Sequence, residues 1–568
     1  MRTHLTFIIL TIFLLSCSQE KKLIIPLRTE ISTLDPHQSY DMISNTITYQ
    51  VYESLYTYQY LQRPYQIQPL IAKGLPQVSK DNKTYTIKIK PNIRYHNKSF
   101  LPANRSVKAQ DIITSLKRLA FIETKSRGWF LYQNKIQGLD SFRNKVKSFS
   151  EIFKTEVDGL KAINEHTLQV QLNEPLTLQQ FLNLFSLNFT TPLPEEGLRY
   201  LENDLESQTL GTGAYYLEKT DSYPILLKKF EQYQTIQYPS EGDRFANENQ
   251  LLKDAGKSLP FIQTIELPVI KDALERWKQL IASKTHMTDL PSEIFNQVIN
   301  LTGQLNPQFQ NKGLKVFAAS SMAYWWIEFN MDDPIVGSNQ LLRQAIAHAI
   351  DRDKYIEIFT NNTDQVANSL FLPGIMGYNP SHEFPFRYDL EKAKLLLAKA
   401  GYPNGENMPV LNFETRRDND QHKEMAIFIK ESLEKIGIKV EYTLNTFSDF
   451  INKSKNSEMQ MWHGGWLMDY PDPENILQLL YSKNKHGKGP NKSNYNNPQF
   501  DILFEQYLKT ETEEEKIKIL KNIEVIISQD LPWIILNYSK NYFIYSDEIS
   551  NFRPNELIPS YFKFLRMN

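Results

Sequence analysis

Glycine-rich stretches that could cradle a phosphate come first. Gly211-Thr-Gly213-Ala-Tyr-Tyr216 opens like a dinucleotide-binding turn, but Tyr216 stands where a third glycine must let helix and strand close together. Gly487-Lys-Gly-Pro-Asn-Lys-Ser493 has no glycine directly before Lys492, so its amides are not arranged to wrap a phosphate. There is no Gly-x-Ser-x-Gly elbow, no His-Glu-x-x-His pair and no cluster of Cys and His. His348 has no second ligand one turn away and reads as a half-buried structural histidine. Asp418-Asn-Asp420 lacks the glycine that sharpens a calcium loop and reads as a solvated acidic turn, with Arg416 and Arg417 as solvated loop cations beside it. Asp469 opens the turn-rich Asp-Tyr-Pro-Asp-Pro, where a carboxylate commonly caps a turn or helix. No activated nucleophile and no pair of catalytic carboxylates emerges. The residue types and spacings therefore single out no catalytic residue, no metal site and no cofactor site.

Alternating strands and helices must position these groups. Lys83 to Lys90 and His166 to Leu172 alternate with period two and read as strands with one face on a core. Asn339 to Ile350, Asp389 to Ala400 closed by Gly401, and Ala426 to Ile436 ending at Gly437 carry helical periodicity, and Ile438 to Tyr442 follows as a strand. The pattern is α/β. In the Tyr324-Trp325-Trp326 run, alternation puts Trp325 on one face and its neighbours on the other. With 568 residues the chain is too long for one core and implies two or three lobes. The 64 basic and 65 acidic side chains are interleaved, which offers no field for a nucleic acid, and 41% hydrophobic residues exclude disorder. Aromatic residues make up 12% of the chain, enough to line a ligand site as well as a core. With no low-complexity linker present, the chain is expected to cross between lobes more than once.

The N-terminus accounts for the single cysteine. Arg2, the apolar run Leu5 to Leu15 and then Leu14-Leu15-Ser16-Cys17 resemble a bacterial lipoprotein signal, although Leu15 is bulkier than usual there. The resemblance implies removal of residues 1–16, a lipid on Cys17 that anchors the protein to a membrane, and no disulfide. No later window is apolar for long enough to span a bilayer.

A set of segments in fixed order carries a second resemblance. Thr29-Glu-Ile-Ser-Thr-Leu-Asp-Pro-His37, Tyr52-Glu-Ser-Leu-Tyr56, Val107 to Arg118, Gly211 to Tyr215, Leu342 to Arg352 and Gly465-Trp-Leu-Met-Asp-Tyr-Pro-Asp-Pro-Glu-Asn475 resemble the oligopeptide- and dipeptide-binding lipoproteins of ABC importers, the family 5 solute-binding proteins. The resemblance runs from about residue 23 to the C-terminus. It implies a bilobal periplasmic-binding-protein-like α/β fold of the large class, with an extra subdomain and the ligand between the lobes. One lobe would comprise 17–58, 207–312 and 539–568 with 59–206 inserted, and the other 313–538. It further implies a monomer that encloses a short peptide and delivers it to an ABC permease with separate ATPase subunits. Asp469 would hold the peptide's ammonium, the backbone of Gly465, Trp466 and Leu467 would pair with it like a strand edge, and Glu30, Ile31 and Ser32 would contact it from the facing lobe. His463 stands where relatives can use an arginine for the ligand's carboxylate, and would be a weaker, pH-dependent partner; His422 resembles another carboxylate-facing position. The same fold could instead hold a nickel chelate, haem or sugar, or serve as a surface receptor or adhesin without a transporter.

Overall fold

Two long antiparallel strands, Leu314–Phe329 and Trp533–Ser546, form the spine of the computed structural model, which describes residues 21–219, 222–234, 236–300, 303–554 and 557–568. Sixteen residues of strand reach about 50 Å, long enough to pass through more than one core. They do so: Phe317, Phe543 and Tyr545 pack against the first core, while Trp326, Phe329, Trp533 and Ile535 belong to the second. Their register shifts between Ser320 and Tyr324 and again between Trp325 and Trp326, so the ladder is interrupted where the ribbon leaves one core for the other.

Around one end lies a four-stranded sheet ordered Leu23–Ile24, Thr264–Leu267, Ile225–Lys229, Tyr215–Lys219. A second four-stranded sheet, ordered Gln77–Val78, Thr84–Lys88, Thr167–Gln171, Leu160–Asn164, packs against helix Ala109–Ala120. At the other end the ribbon is flanked by Met461–Leu467, Leu411–Thr415 and Val440–Leu444, with Gln365–Val366 on the strand Trp533–Ser546, whereas Met287–Asp289 pairs with Phe543 to Tyr545 beside the first core. The expected anchor Cys17 and the expected signal at 1–16 lie outside the described residues. No helix among the described residues is long and apolar enough to cross a membrane.

Periodicity located the elements well. The two expected strands occupy Thr84–Lys88 and Thr167–Gln171, and the helices Gln340–Ala349 and Leu390–Lys399 begin under Asn339 and Asp389, whose side chains accept from the third helical N–H. The third helix starts earlier than expected. Asn419 caps it, so it runs Asp420–Glu434, and the Asp418-Asn-Asp420 stretch is a helix start rather than a free acidic turn. His348 is 3% exposed, more deeply buried than expected, and its Nδ1 lies 2.6 Å from the Arg387 carbonyl. The glycines of Gly211-Thr-Gly213 serve packing: a Cβ at either would fall 2.0–2.2 Å from the carbonyl oxygen of Val51 or Gln50 at the end of helix Met42–Val51.

Asp35 shows what the Leu-Asp-Pro-His segment does. Its carboxylate takes Arg118 Nη1 at 2.9 Å and Nη2 at 2.6 Å, with both side chains almost fully buried. Arg118 also approaches His37 Nδ1 at 3.0 Å. Burial alone would raise the Asp35 carboxyl, but the Arg118 charge and its hydrogen bonds prevail and hold it below the usual range. Two distant sequence segments are thereby locked into one ion pair.

Candidate functional site

Strand Met461–Leu467 is the element on which the site is built. One edge pairs along its whole length with the spine, from Phe329 opposite Met461 to Ala323 opposite Leu467. The other edge pairs with Leu411–Thr415 only at Met461 and Trp462. From His463 to Leu467 that second edge carries no strand among the described residues, so a row of backbone donors and acceptors is left for an extended partner.

Side-chain alternation divides the groups between two faces. Trp326 and Glu328 are buried on the side away from the cleft with Trp462 and Trp533, whereas Trp325 and His463 line a cavity of 520 Å³. Arg28 and Met42 form part of its opposite wall, and Tyr355, Asp364, Arg416, His422, Lys540 and Phe543 complete much of the rest. Gly465 lies against Trp325: a Cβ there would sit 2.0 Å from ring atom Cε3. Gly465→Ala is therefore expected to displace the indole and to cost about 1–3 kcal/mol of stability, which a urea titration of the variant measures.

Arg416 corrects one expectation. It is not a solvated loop cation: it is half-buried at the end of strand Leu411–Thr415, with its guanidinium 4.6 Å from the centre of the Trp325 ring. Burial and neighbouring Arg417 lower its pKa to about 10, which still leaves it charged at neutral pH. Arg417 is exposed as expected. His463 stacks on Trp325 with ring centres 5.6 Å apart, is 5% exposed, and has both ring nitrogens buried without a partner. Burial, then Arg416, then His422 drive its pKa well below the ordinary histidine value, so it is neutral rather than a pH-dependent cation. His422, in the first turn of helix Asp420–Glu434, is likewise lowered to about 4 by burial and the two arginines, and its Nδ1 lies 2.7 Å from Asn419 Oδ1. The cation at this end of the cavity comes from Arg416, on a neighbouring strand.

Asp469 occupies a different place. It is half-buried just beyond the strand and lies outside the walls of the 520 Å³ cavity, at a contact between distant parts of the chain. Tyr40 Oη donates to its Oδ1 at 2.8 Å and Asn475 Nδ2 to its Oδ2 at 3.0 Å. Asn475 Oδ1 in turn accepts from the Asp469 N–H at 3.1 Å and from Trp466 Nε1 at 2.8 Å, so one amide orients both side chains. Burial raises the Asp469 carboxyl to about 6 against these hydrogen bonds, and no cation among the described residues is paired with it. Trp466 packs edge-on to Phe130 at 6.4 Å, and Lys135 Nζ reaches Glu474 at 3.7 Å, so the 469–475 loop is gripped from the inserted sheet's side. Leu467 is 39% exposed at the strand's end.

Glu30, Ile31 and Ser32 are not brought to the cavity wall, and the facing wall is made by Arg28 and Met42 instead. Glu30 pairs with Lys271 at 2.9 Å, the Ile31 N–H donates to Tyr223 Oη at 2.9 Å, and the Ser32 N–H donates to Ser44 Oγ at 3.1 Å. The backbone donors of Ile31 and Ser32 are already spent on this chain. Tyr40, Asn475 and Arg416 are the site residues that sequence reasoning missed. Only Arg416 had a usable signal, its position at the end of a strand leading into a helix cap.

Comparison with known proteins agrees with this architecture. The model of bacterial extracellular solute-binding proteins, family 5, middle region, matches residues 66–488. The chain is 26% identical over 502 residues to the heme-binding protein A of Haemophilus influenzae, covering 86% of this chain and 81% of that relative. It is 22% identical over 470 residues to the dipeptide-binding protein of Escherichia coli, covering 82% and 79%. A solved Helicobacter pylori periplasmic binding protein associated with an ABC transporter, in complex with the peptide STSA, superposes with a TM-score of 0.73 at 22% identity over 96% of this chain and 98% of that one. The fold is the bilobal periplasmic-binding-protein-like one.

Proposed function

Because the chain belongs to the bacterial extracellular solute-binding proteins of family 5, we propose that it captures a short peptide between two lobes outside the cytoplasm and passes it to an ABC permease with separate ATPase subunits. The observation that carries this reading is the bare strand edge His463 to Leu467, with a charged guanidinium at one end and an unneutralised carboxylate just past the other. An extended peptide presents the complementary groups: backbone donors and acceptors, a carboxylate and an ammonium. Asp469 takes the ammonium and Arg416 the carboxylate, while Gly465, Trp466 and Leu467 supply main-chain pairing. The division into 17–58 with 207–312 and 539–568, 59–206 inserted, and 313–538 is supported by the separate sheets along the spine. Lipid attachment at Cys17 is supported by the Leu14-Leu15-Ser16-Cys17 run and keeps the protein beside its membrane partner.

The pH dependence of binding tests the reading. An ammonium favours the ionised form of Asp469, so binding draws its pKa down from about 6 and releases a proton whenever the free protein is protonated there. Affinity is therefore expected to be flat above that pH and to fall roughly tenfold per unit below it. Titration calorimetry with a free peptide and its N-acetylated form, at about pH 5 and about pH 8, measures both the affinity and the proton released. An affinity that is the same at both values, or unaffected by acetylation, removes Asp469 from this role.

A further inference from the structure

The cavity carries more positive charge than a peptide's single terminal carboxylate requires. Four cations line it, Arg28, Arg416, Arg417 and Lys540, against two carboxylates, Asp289 and Asp364. Asp289 is already held by Arg276 at 3.1 Å. Asp364 accepts from Asn537 Nδ2 at 2.6 Å, Ser539 Oγ at 3.3 Å and the Lys540 N–H at 3.1 Å, so its oxygens are committed to the wall. Among the described residues none of the four cations is paired with a carboxylate.

Arg416 shows how such a site recognises an anion. Stacking on Trp325 uses the face of the guanidinium. Its in-plane N–H groups, whose spacing suits a carboxylate, have no acceptor among the described residues. Beside it, His463 offers two buried ring nitrogens with no partner, aimed at the same space. A half-buried cation and an imidazole N–H without an acceptor are costly to enclose unless the guest supplies oxygens. One terminal carboxylate can answer Arg416. Lys540, Arg417 and Arg28 then remain around the same volume.

We propose that the preferred ligand is an acidic peptide, one with a side-chain carboxylate besides its terminal one, selected by Lys540 while Arg416 holds the terminus. This rests on the reading that the cleft takes peptides. The test is calorimetry on the full-length protein at neutral pH with peptide pairs of matched length, identical except for Glu against Gln, and with glutarate as a dicarboxylate lacking any amine. The Glu peptides are expected to bind at least about tenfold tighter, with the difference shrinking at high salt because it is electrostatic. Lys540→Met is expected to remove most of the discrimination, with Lys540→Gln serving if it fails to fold, whereas Arg416→Met is expected to weaken Glu and Gln peptides alike. Equal binding of Glu and Gln peptides overturns the acidic preference and leaves peptide capture standing. Binding of glutarate with no peptide bound overturns both.

Discussion

Asp469→Ala is expected to weaken peptide capture by about 2–5 kcal/mol, roughly two orders of magnitude or more, while the protein keeps its fold. The size follows from what the ligand would lose: an ammonium enclosed at the lobe contact would face Tyr40 and Asn475, which offer hydrogen bonds but no charge. The stability expectation runs the other way. Burial has raised the Asp469 carboxyl to about 6, so at neutral pH the ionised side chain is worse off folded than unfolded. Its removal leaves the melting temperature unchanged or higher. Loss of binding with no loss of stability, read by calorimetry and thermal melting on the same sample, separates a ligand anchor from a structural cap. Asp469→Asn keeps the shape and the amide-like contacts but not the charge, and is expected to bind nearly as poorly.

Asp35→Ala is expected to cost about 3–5 kcal/mol of folding stability. It leaves the Arg118 guanidinium, 1% exposed, without its carboxylate. His37 cannot take over, because burial and then Arg118 itself lower its pKa to about 3. Replacing both partners, as Asp35→Leu with Arg118→Met, is expected to recover much of the loss, since neither charge is then buried alone. Chemical denaturation of the single and double variants measures the coupling directly. Because Asp35 is held below its ordinary pKa, the pair's contribution is present above about pH 4 and disappears as the pH falls through the native-state value.

The architecture was readable wherever local physics decides it. Helix Gln340–Ala349 and strand Thr84–Lys88 declare themselves by period, and Asn339 and Asp389 by capping chemistry. The alternation that separates Trp325 from Tyr324 and Trp326 follows from strand geometry alone. The site was legible only in part. Asp469 and His463 lie on one short segment whose order survives in the sequence, but Tyr40 meets Asp469 across 429 residues, and no spacing rule reaches that far. The misreading of Arg416 has the same origin. A dipeptide of arginines beside acidic residues looks solvated until the tertiary fold lays an indole under one of them. Nor could segment order reveal that Tyr223 and Ser44 already occupy the amides of Ile31 and Ser32.

The bare edge of Met461–Leu467 has a cost outside transport. An unpaired strand is a template for another copy of itself, and in an empty protein two such edges can zip together into a dimer or a growing fibre. Two features blunt that hazard here: the glycine pair Gly464-Gly465 offers little side chain for a steric zipper, and the Trp325 ring crowds one of them. The backbone groups that make the strand receptive are thus the same ones an open edge would offer to a second copy, and the burial of His463 and Gly464 shields part of that edge.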